Sequence, residues 1–153
     1  MPRARRTRTL GAAPEQVWDV IADPHHFPRW WPGVTRMEGV QENRWTQVFL
    51  TRKGHTVRVD FRLLESEAPG AGGGSGGAGR RRWEQELIGS PFERMLRQAI
   101  TEVRLEPADP GTRVMIEQRQ KLRGYSRLVG PWLRRAARTR LEEALDGLER
   151  TCG

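Results

Sequence analysis

The segment APEQVWDVIADPHHFPRWWPGV, residues Ala13 to Val34, decides the fold of this 153-residue chain. Its first half predicts an amphipathic helix, because four apolar side chains recur at the 3.6-residue spacing of one helical face. These residues are Val17, Trp18, Ile21 and Ala22. Pro14 suits the first helical turn, where its missing N–H would have no partner in any case. Asp23 precedes Pro24 and is therefore pushed out of the helical region, which ends the helix.

A second short helix is predicted directly after this break, and it ends at Pro32 and Gly33. It is rich in aromatic and imidazole groups: His25, His26, Phe27, Trp30 and Trp31. A histidine at this place could act as a general acid or base near neutral pH, but a surface role is the favoured interpretation. Two adjacent histidines point apart on a helix, so the pair predicts no metal site.

After Gly33 the spacing of apolar residues changes from 3.6 to 2, which predicts β-strands. Val57, Val59 and Phe61 alternate with charged residues, the pattern of a half-buried strand. A first strand ends at Leu10, and six more are predicted at 35–41, 44–52, 55–63, 81–88, 93–106 and 112–122. Their connections are short and turn-like, so we expect one antiparallel sheet.

The period returns to 3.6 over residues 125–149, which predicts a long amphipathic helix. Gly130 and Pro131 fall inside this range, so a kink or a restart is expected there. Residues 69–79, PGAGGGSGGAG, offer almost no side chain to bury and predict a flexible loop between two strands. This loop matches no phosphate-binding fingerprint, because it leads into a strand and not into a helix.

Several residues form a recognisable pattern, AP-x-x-V-W-x-V-x-x-D followed by W-x-P. They are Ala13, Pro14, Val17, Trp18, Val20, Asp23, Trp30 or Trp31, and Pro32. Downstream, Gly111 and Thr112 begin a GT-x-V strand. With these motifs the chain resembles the START-like domains of the SRPBCC superfamily, and in particular the polyketide cyclase/dehydrase and lipid-transport branch. The resemblance covers almost the whole chain.

The resemblance implies an α+β helix-grip fold, which agrees with the periodicity. In this fold a seven-stranded antiparallel sheet curves around a long C-terminal helix, with two short helices after strand 1. The length suits one domain over residues 1–153. Because a strongly curved sheet often fails to fill the space against a single helix, we expect an internal cavity.

The candidate ligand-binding residues on apolar positions are Trp30, Trp31, Phe49, Phe61, Trp83, Leu128 and Trp132. Trp30 or Trp31 is expected near the mouth of the cavity, and Trp132 in a wall formed by the last helix. Apolar walls with a few polar groups are typical of small-molecule sites. For any single aromatic residue, packing in a core is the simpler explanation of its presence.

Polar candidates come from the last strand and from the start of the long helix. Gln118 and Gln120 share the parity of Val114 and Ile116, which predicts that both amides point inward. They could bind a ligand carbonyl or hydroxyl, or they could pair with backbone at the sheet edge. Tyr125 could offer a hydroxyl at the mouth. No nucleophile triad can be assembled, so catalytic residues are left unassigned, and neither a metal nor a cofactor is predicted.

The formal charge of +8 raises the question of nucleic-acid binding. Of the 27 basic residues all but Lys53 and Lys121 are arginine, and they are spread along every segment. Carboxylates such as Glu102 and Glu117 alternate with apolar residues on strands. We therefore expect these charges on solvated faces, and nucleic-acid binding is the weaker alternative.

No apolar run is long enough to span a membrane, and no apolar segment follows the basic N-terminus. A cytoplasmic protein without an integral membrane segment is therefore expected. The single cysteine, Cys152, has no partner for an internal disulfide and is expected in an exposed tail.

Two functions of different classes follow. The first is a carrier or sensor that binds a hydrophobic small molecule, such as a lipid, a quinone or a polyketide-like compound. The second is an enzyme of the polyketide cyclase, aromatase or dehydrase type. The first is preferred, because the sequence traps no ionisable group in an apolar setting. The ligand and the oligomeric state are left open.

Overall fold

The computed structural model describes residues 3–51, 53–70, 78–89, 93, 96–122 and 130–152. The strands are β1 (Arg3–Leu10), β2 (Val34–Glu38), β3 (Arg44–Leu50), β4 (Thr56–Glu67), β5 (Gly79–Gln85), β6 (Leu96–Pro107) and β7 (Thr112–Leu122). The helices are α1 (Pro14–Ile21), α2 (Phe27–Trp30) and α3 (Gly130–Cys152), with a 3₁₀ turn at Pro24–His26 before α2. Residues 71–77 of the predicted Gly-rich loop lie outside the described residues.

All seven strands form one antiparallel sheet in the order β1-β7-β6-β5-β4-β3-β2. The predicted α+β helix-grip fold is confirmed. The bounds of most strands differ from the prediction by a few residues. The prediction ended β2 three residues too late and β5 three residues too late, and β4 runs on to Glu67. β1 begins at Arg3, so the basic N-terminal segment is itself part of the sheet. The β1–β7 ladder joins the first and last strands, with Arg3 opposite Arg119 and Leu10 opposite Thr112.

The long helix lies against the concave face of the sheet, and its C-terminal half is anchored by buried apolar residues. These are Ala137, Leu141, Ala144, Leu145 and Leu148. The helix packs mainly on β1, β7, α1 and α2. Pro131 lies in its first described turn and not in the helix interior, so residues 130–152 contain no proline kink. Residues 125–129, where the helix was predicted to begin, lie outside the described residues.

An aromatic cluster closes the end of the sheet that faces α2. Phe27 stacks on Trp30, with ring centroids 5.3 Å apart, and on Trp45 at 5.8 Å. Trp83 meets Phe27 edge to face at 5.5 Å and Trp31 at 6.1 Å. Pairs in these geometries add about 0.5–1.5 kcal/mol each beyond the area they bury. This cluster therefore fixes α2 against the sheet.

The outer face of the sheet carries alternating glutamates and arginines. Glu117 accepts hydrogen bonds from Arg5 at 2.8 Å and from Arg119 at 2.6 Å, and Glu102 accepts one from Arg80 at 2.6 Å. The expectation that these carboxylates are solvated was wrong. Both are buried beneath arginine side chains from neighbouring strands, with only 3% of the Glu117 side chain exposed.

Cys152 differs from its expected place in an exposed tail. It lies in the last turn of α3, half-buried and packed against the core. Burial raises the pKa of its thiol, which keeps the less reactive thiol form predominant.

Candidate ligand-binding cavity

A cavity of about 440 Å³ lies between the concave face of the sheet and the N-terminal half of α3. It exists because four of the five buried anchor residues of α3 lie from Leu141 onward, where the helix packs on β1 and β7. The first half extends past the other strands without filling the space above them. This volume falls within the range typical of small-molecule sites.

The apolar wall is built mainly from residues of one parity on β3 and β4. Phe49 of β3 and Val57, Val59 and Phe61 of β4 line the cavity, and register pairs Phe49 with Val57. Trp83 of β5 and Trp31, the residue after α2, complete the aromatic part. The structure thus brings together four of the predicted residues, Trp31, Phe49, Phe61 and Trp83.

Trp30 is not at the cavity mouth. It is 2% exposed and points into the aromatic cluster below the cavity, where α2 packs against α3. Of the two candidate tryptophans, only Trp31 lines the cavity, because the backbone leaves the helical conformation at the end of α2. Trp31 has an extended backbone, with φ −86° and ψ 128°, and its side chain leaves the helix toward the cavity.

Trp132 lines the cavity but is not a core residue. Its side chain is 69% exposed and contributes to the rim on the side of α3, beside Leu133. Tyr125 and Leu128, which were also predicted to line the cavity, lie outside the described residues.

Both predicted glutamines, Gln118 and Gln120 of β7, line the cavity. Two more glutamines do so, which the sequence reasoning missed: Gln47 on β3 and Gln85 on β5. The signal was present, because Gln47 has the parity of Phe49, and Gln85 has that of Trp83. Among apolar neighbours the glutamines supply neutral hydrogen-bonding groups around the cavity.

Two of these amides have unpaired oxygens. The Oε1 atoms of Gln47 and Gln118 are buried and have no hydrogen-bond donor among the described residues. Gln118 donates through Nε2 to Thr101 Oγ1 at 3.5 Å, which orients its oxygen. A buried carbonyl without a donor costs about 1–3 kcal/mol. Because both oxygens are shielded even from water in the open cavity, the half-buried amides of Gln85 and Gln120 are the groups that a ligand can contact directly.

Arg140 of α3 also lines the cavity, and sequence reasoning missed it as well. It lies on the same helical stripe as Leu133, Ala137 and Ala144, three, four or seven residues away. Desolvation by the surrounding protein lowers the pKa of its guanidinium, which Glu143 offsets only in part. The group stays cationic near neutral pH, because an arginine pKa is far above that range.

A second inward-pointing arginine, Arg81 of β5, lies outside the cavity lining. It is 4% exposed, donates to Ser66 Oγ at 2.9 Å, and places its guanidinium carbon 5.7 Å from the Trp45 ring centroid. Burial lowers the pKa of Arg81, while Asp23 opposes this change. Its partners are structural residues of the sheet, so we assign it to the packing below the cavity.

The histidines considered as acid or base candidates lie elsewhere. His25 is exposed, and its Nδ1 lies 3.0 Å from Asp23 Oδ1. His26 contacts the Val20 carbonyl through Nδ1 at 3.3 Å. Both serve the turn between α1 and α2, in agreement with the surface role favoured from the sequence.

A smaller cleft of about 60 Å³ lies on the outer face of the sheet. Its walls are the side chains of the arginine–glutamate array, including Arg80, Glu102 and Arg119. Its four arginines outnumber its two glutamates, but the volume is too small for an organic ligand. The concave cavity is therefore the candidate site.

Comparison with known proteins identifies the family of this chain. The profile described as "Polyketide cyclase / dehydrase and lipid transport" matches residues 1–153. The chain belongs to this family. No curated protein matches it closely enough to transfer a function.

Several solved structures have the same fold as this family member, although their sequences are only distantly similar. TTHA0849 from Thermus thermophilus is 21% identical, with a TM-score of 0.71 over 99% of this chain and 97% of that one. A START superfamily protein from Mycobacterium smegmatis is 11% identical, with a TM-score of 0.69 over 97% and 95%. The di-domain ARO/CYC StfQ from the steffimycin biosynthetic pathway is 13% identical, with a TM-score of 0.72 over 98% of this chain and 50% of that one.

None of the helices in the described part of this family member has the length and hydropathy needed to cross a bilayer.

Proposed function

We propose that this protein binds a hydrophobic small molecule in the concave cavity and acts as its carrier or sensor. A lipid, a quinone or a polyketide-like compound has the required apolar body. One observation carries the proposal. The 440 Å³ cavity combines aromatic walls with the half-buried amides of Gln85 and Gln120, so it offers both apolar contact and hydrogen-bonding groups.

The proposal treats residues 1–153 as one ligand-binding domain. The ligand would lie on Phe49, Phe61 and Trp83, with the buried Trp31 beside them and the exposed Trp132 at the rim. Gln118 and Gln120 would accept or donate hydrogen bonds to its polar groups. Burial of apolar surface stabilises such a complex by roughly 25 cal/mol per Å² before the cost of association is subtracted.

An enzyme of the cyclase, aromatase or dehydrase type is the second candidate. It is favoured by Gln118, because an oriented amide beside Thr101 could hold a carbonyl of a poly-β-keto chain in a reactive conformation. The structural neighbour StfQ is an ARO/CYC protein by its printed description. We prefer the binding function, because the described lining offers apolar surface, neutral amides and the cationic Arg140, and neither amides nor arginine exchange protons readily near neutral pH.

Titration with N-phenyl-1-naphthylamine, a neutral apolar fluorophore, tests the proposal. We expect saturable binding with quenching of tryptophan emission, and binding that persists in 1 M salt. Phe61→Arg places a charge in the cavity and should abolish binding. Thr56→Arg adds the same charge at an exposed position of the same strand and serves as the matched control.

Three results would contradict or redirect the proposal. Absence of probe uptake by the folded wild type would reject it. Equal affinity of wild type and Phe61→Arg would place the probe outside the cavity. Turnover of a poly-β-keto substrate that is lost in Gln118→Leu without unfolding would establish the enzyme instead.

A further inference from the structure

Arg140 lies where an apolar residue would complete the inward stripe of α3. Ala137 and Ala144 precede and follow it by three and four residues, and both are buried in the core. Arg140 lines the cavity, and so does Leu133, which lies on the same stripe closer to the N-terminus of the helix. The helix thus presents a cation to an otherwise apolar and amide-lined space.

No carboxylate of the described residues pairs with this cation. Its nearest electrostatic influence is Glu143 on the same helix, which forms no hydrogen bond or ion pair with it. Many arginines of the sheet, in contrast, are paired with carboxylates. Arg8, on the strand beside α3, binds Glu142 at 2.8 Å and also Asp146. The arginines of the outer face share Glu102 and Glu117.

An unpaired guanidinium at this place has an electrostatic cost. Arg140 is exposed through the open cavity, yet the protein around its guanidinium disfavours the charged form. A cation that is partly withdrawn from water is stabilised by an anion that also satisfies its N–H donors. The planar fork of arginine fits a carboxylate with two parallel hydrogen bonds.

We propose that Arg140 binds the anionic end of the ligand, so that the cavity selects amphiphiles that carry a carboxylate on an apolar body. This inference rests on the proposed function and narrows its ligand class. The apolar part occupies the aromatic wall, and the half-buried amides of Gln85 and Gln120 pair with hydroxyl groups where the ligand has them. A neutral hydrocarbon of the same size would leave the guanidinium unpaired.

A matched pair of probes separates the charge from the apolar body. cis-Parinaric acid and its methyl ester have the same fluorescent chain, and at pH 8 only the acid is ionised. We expect the wild type to bind the acid about tenfold to a hundredfold more tightly than the ester, the range expected for charged hydrogen bonds. Arg140→Gln should remove this preference and leave ester affinity within about twofold.

Arg138→Gln is the matched control, because Arg138 is exposed on the same helix and does not line the cavity. It should keep the preference of the wild type. The melting temperature of Arg140→Gln should stay within about 2 °C of the wild type, because the residue is exposed and has no ion-pair partner among the described residues. A value in this range would show that the variant is folded.

The outcomes distinguish this inference from the function on which it rests. The role of Arg140 would be overturned if the wild type bound acid and ester with equal affinity, or if Arg140→Gln kept the preference for the acid. Binding of the ester would in either case still support the cavity as the binding site. Failure of the wild type to bind either probe would overturn both.

Discussion

Gly147 of α3 lies against the backbone of Trp30. A Cβ atom added at residue 147 would come within 2.3 Å of the Trp30 carbonyl oxygen and 2.6 Å of its Cα. The long helix can therefore approach α2 closely only where it lacks a side chain. This contact fixes the C-terminal half of α3 and, as a consequence, the distance between its first half and the sheet.

Gly147→Ala should destabilise the protein. Alanine is favoured over glycine in a helix interior by about 1 kcal/mol, but here the new methyl group meets backbone that cannot move aside. We expect a net loss of about 1–3 kcal/mol in the free energy of unfolding, measured by urea denaturation. Arg150→Ala, at an exposed position of the same helix, should change it by less than about 0.5 kcal/mol. A more stable Gly147→Ala would show that α2 and α3 are further apart.

Trp132→Ala should leave the melting temperature within about 2 °C of the wild type, because the indole is 69% exposed. Probe affinity should fall severalfold, since the residue forms part of the cavity rim. Leu145→Ala, at a fully buried position of α3, should lower the melting temperature by about 5–15 °C. A large thermal effect of Trp132→Ala would mean that this indole packs in the core.

Glu117 should contribute to stability at neutral pH and not in acid. Its burial alone raises the pKa, but hydrogen bonds from Arg119 and Arg5 outweigh this and hold the pKa below the usual value of 4.5. A carboxyl whose pKa is lowered by folding stabilises the protein above its unfolded pKa, and this contribution is lost as pH falls through the folded pKa.

Glu117→Gln should therefore cost about 1–2 kcal/mol at pH 7, moderated because Arg5 and Arg119 are half exposed to water. The difference from the wild type should shrink as pH falls below about 4.5. Glu106→Gln removes an exposed ion pair with Arg113 and should have little effect at any pH. Parallel pH profiles of wild type and Glu117→Gln would contradict this account.

Gln47→Met should stabilise the protein or leave it unchanged. The substitution replaces a side chain whose buried oxygen has no donor among the described residues with an apolar one of similar volume. We expect a melting temperature equal to or up to about 4 °C above that of the wild type. A loss of more than about 1 kcal/mol would mean that the amide has a hydrogen-bond partner in the free protein.

The fold could be predicted from the sequence, because the spacing of apolar residues within each segment indicates both its secondary structure and its buried face. Val57, Val59 and Phe61 alternate over a strand that is buried on one side only, and Val17 and Ile21 mark one helical face. The two short helices before β2 carry a sequence pattern that is specific to the fold.

The cavity could be predicted only in part, because its lining depends on how far α3 stands from the sheet. Trp132 has the periodicity of the core residues, but it precedes the half of the helix that Gly147 brings close to α2. Arg140 was overlooked because a charged residue on an apolar stripe is usually counted as solvated. Glu102 and Glu117 were expected in solvent because their burial depends on arginines from other strands.

The most direct test of the central claim is a crystal structure of the complex with a bromine-labelled fatty acid, in which anomalous scattering locates the label. We predict the bromine between the sheet and α3, in contact with the wall formed by Phe61 and Trp83, and the carboxylate at Arg140. A label bound on the outer face among the arginines, or an empty cavity at saturating ligand, would contradict the account.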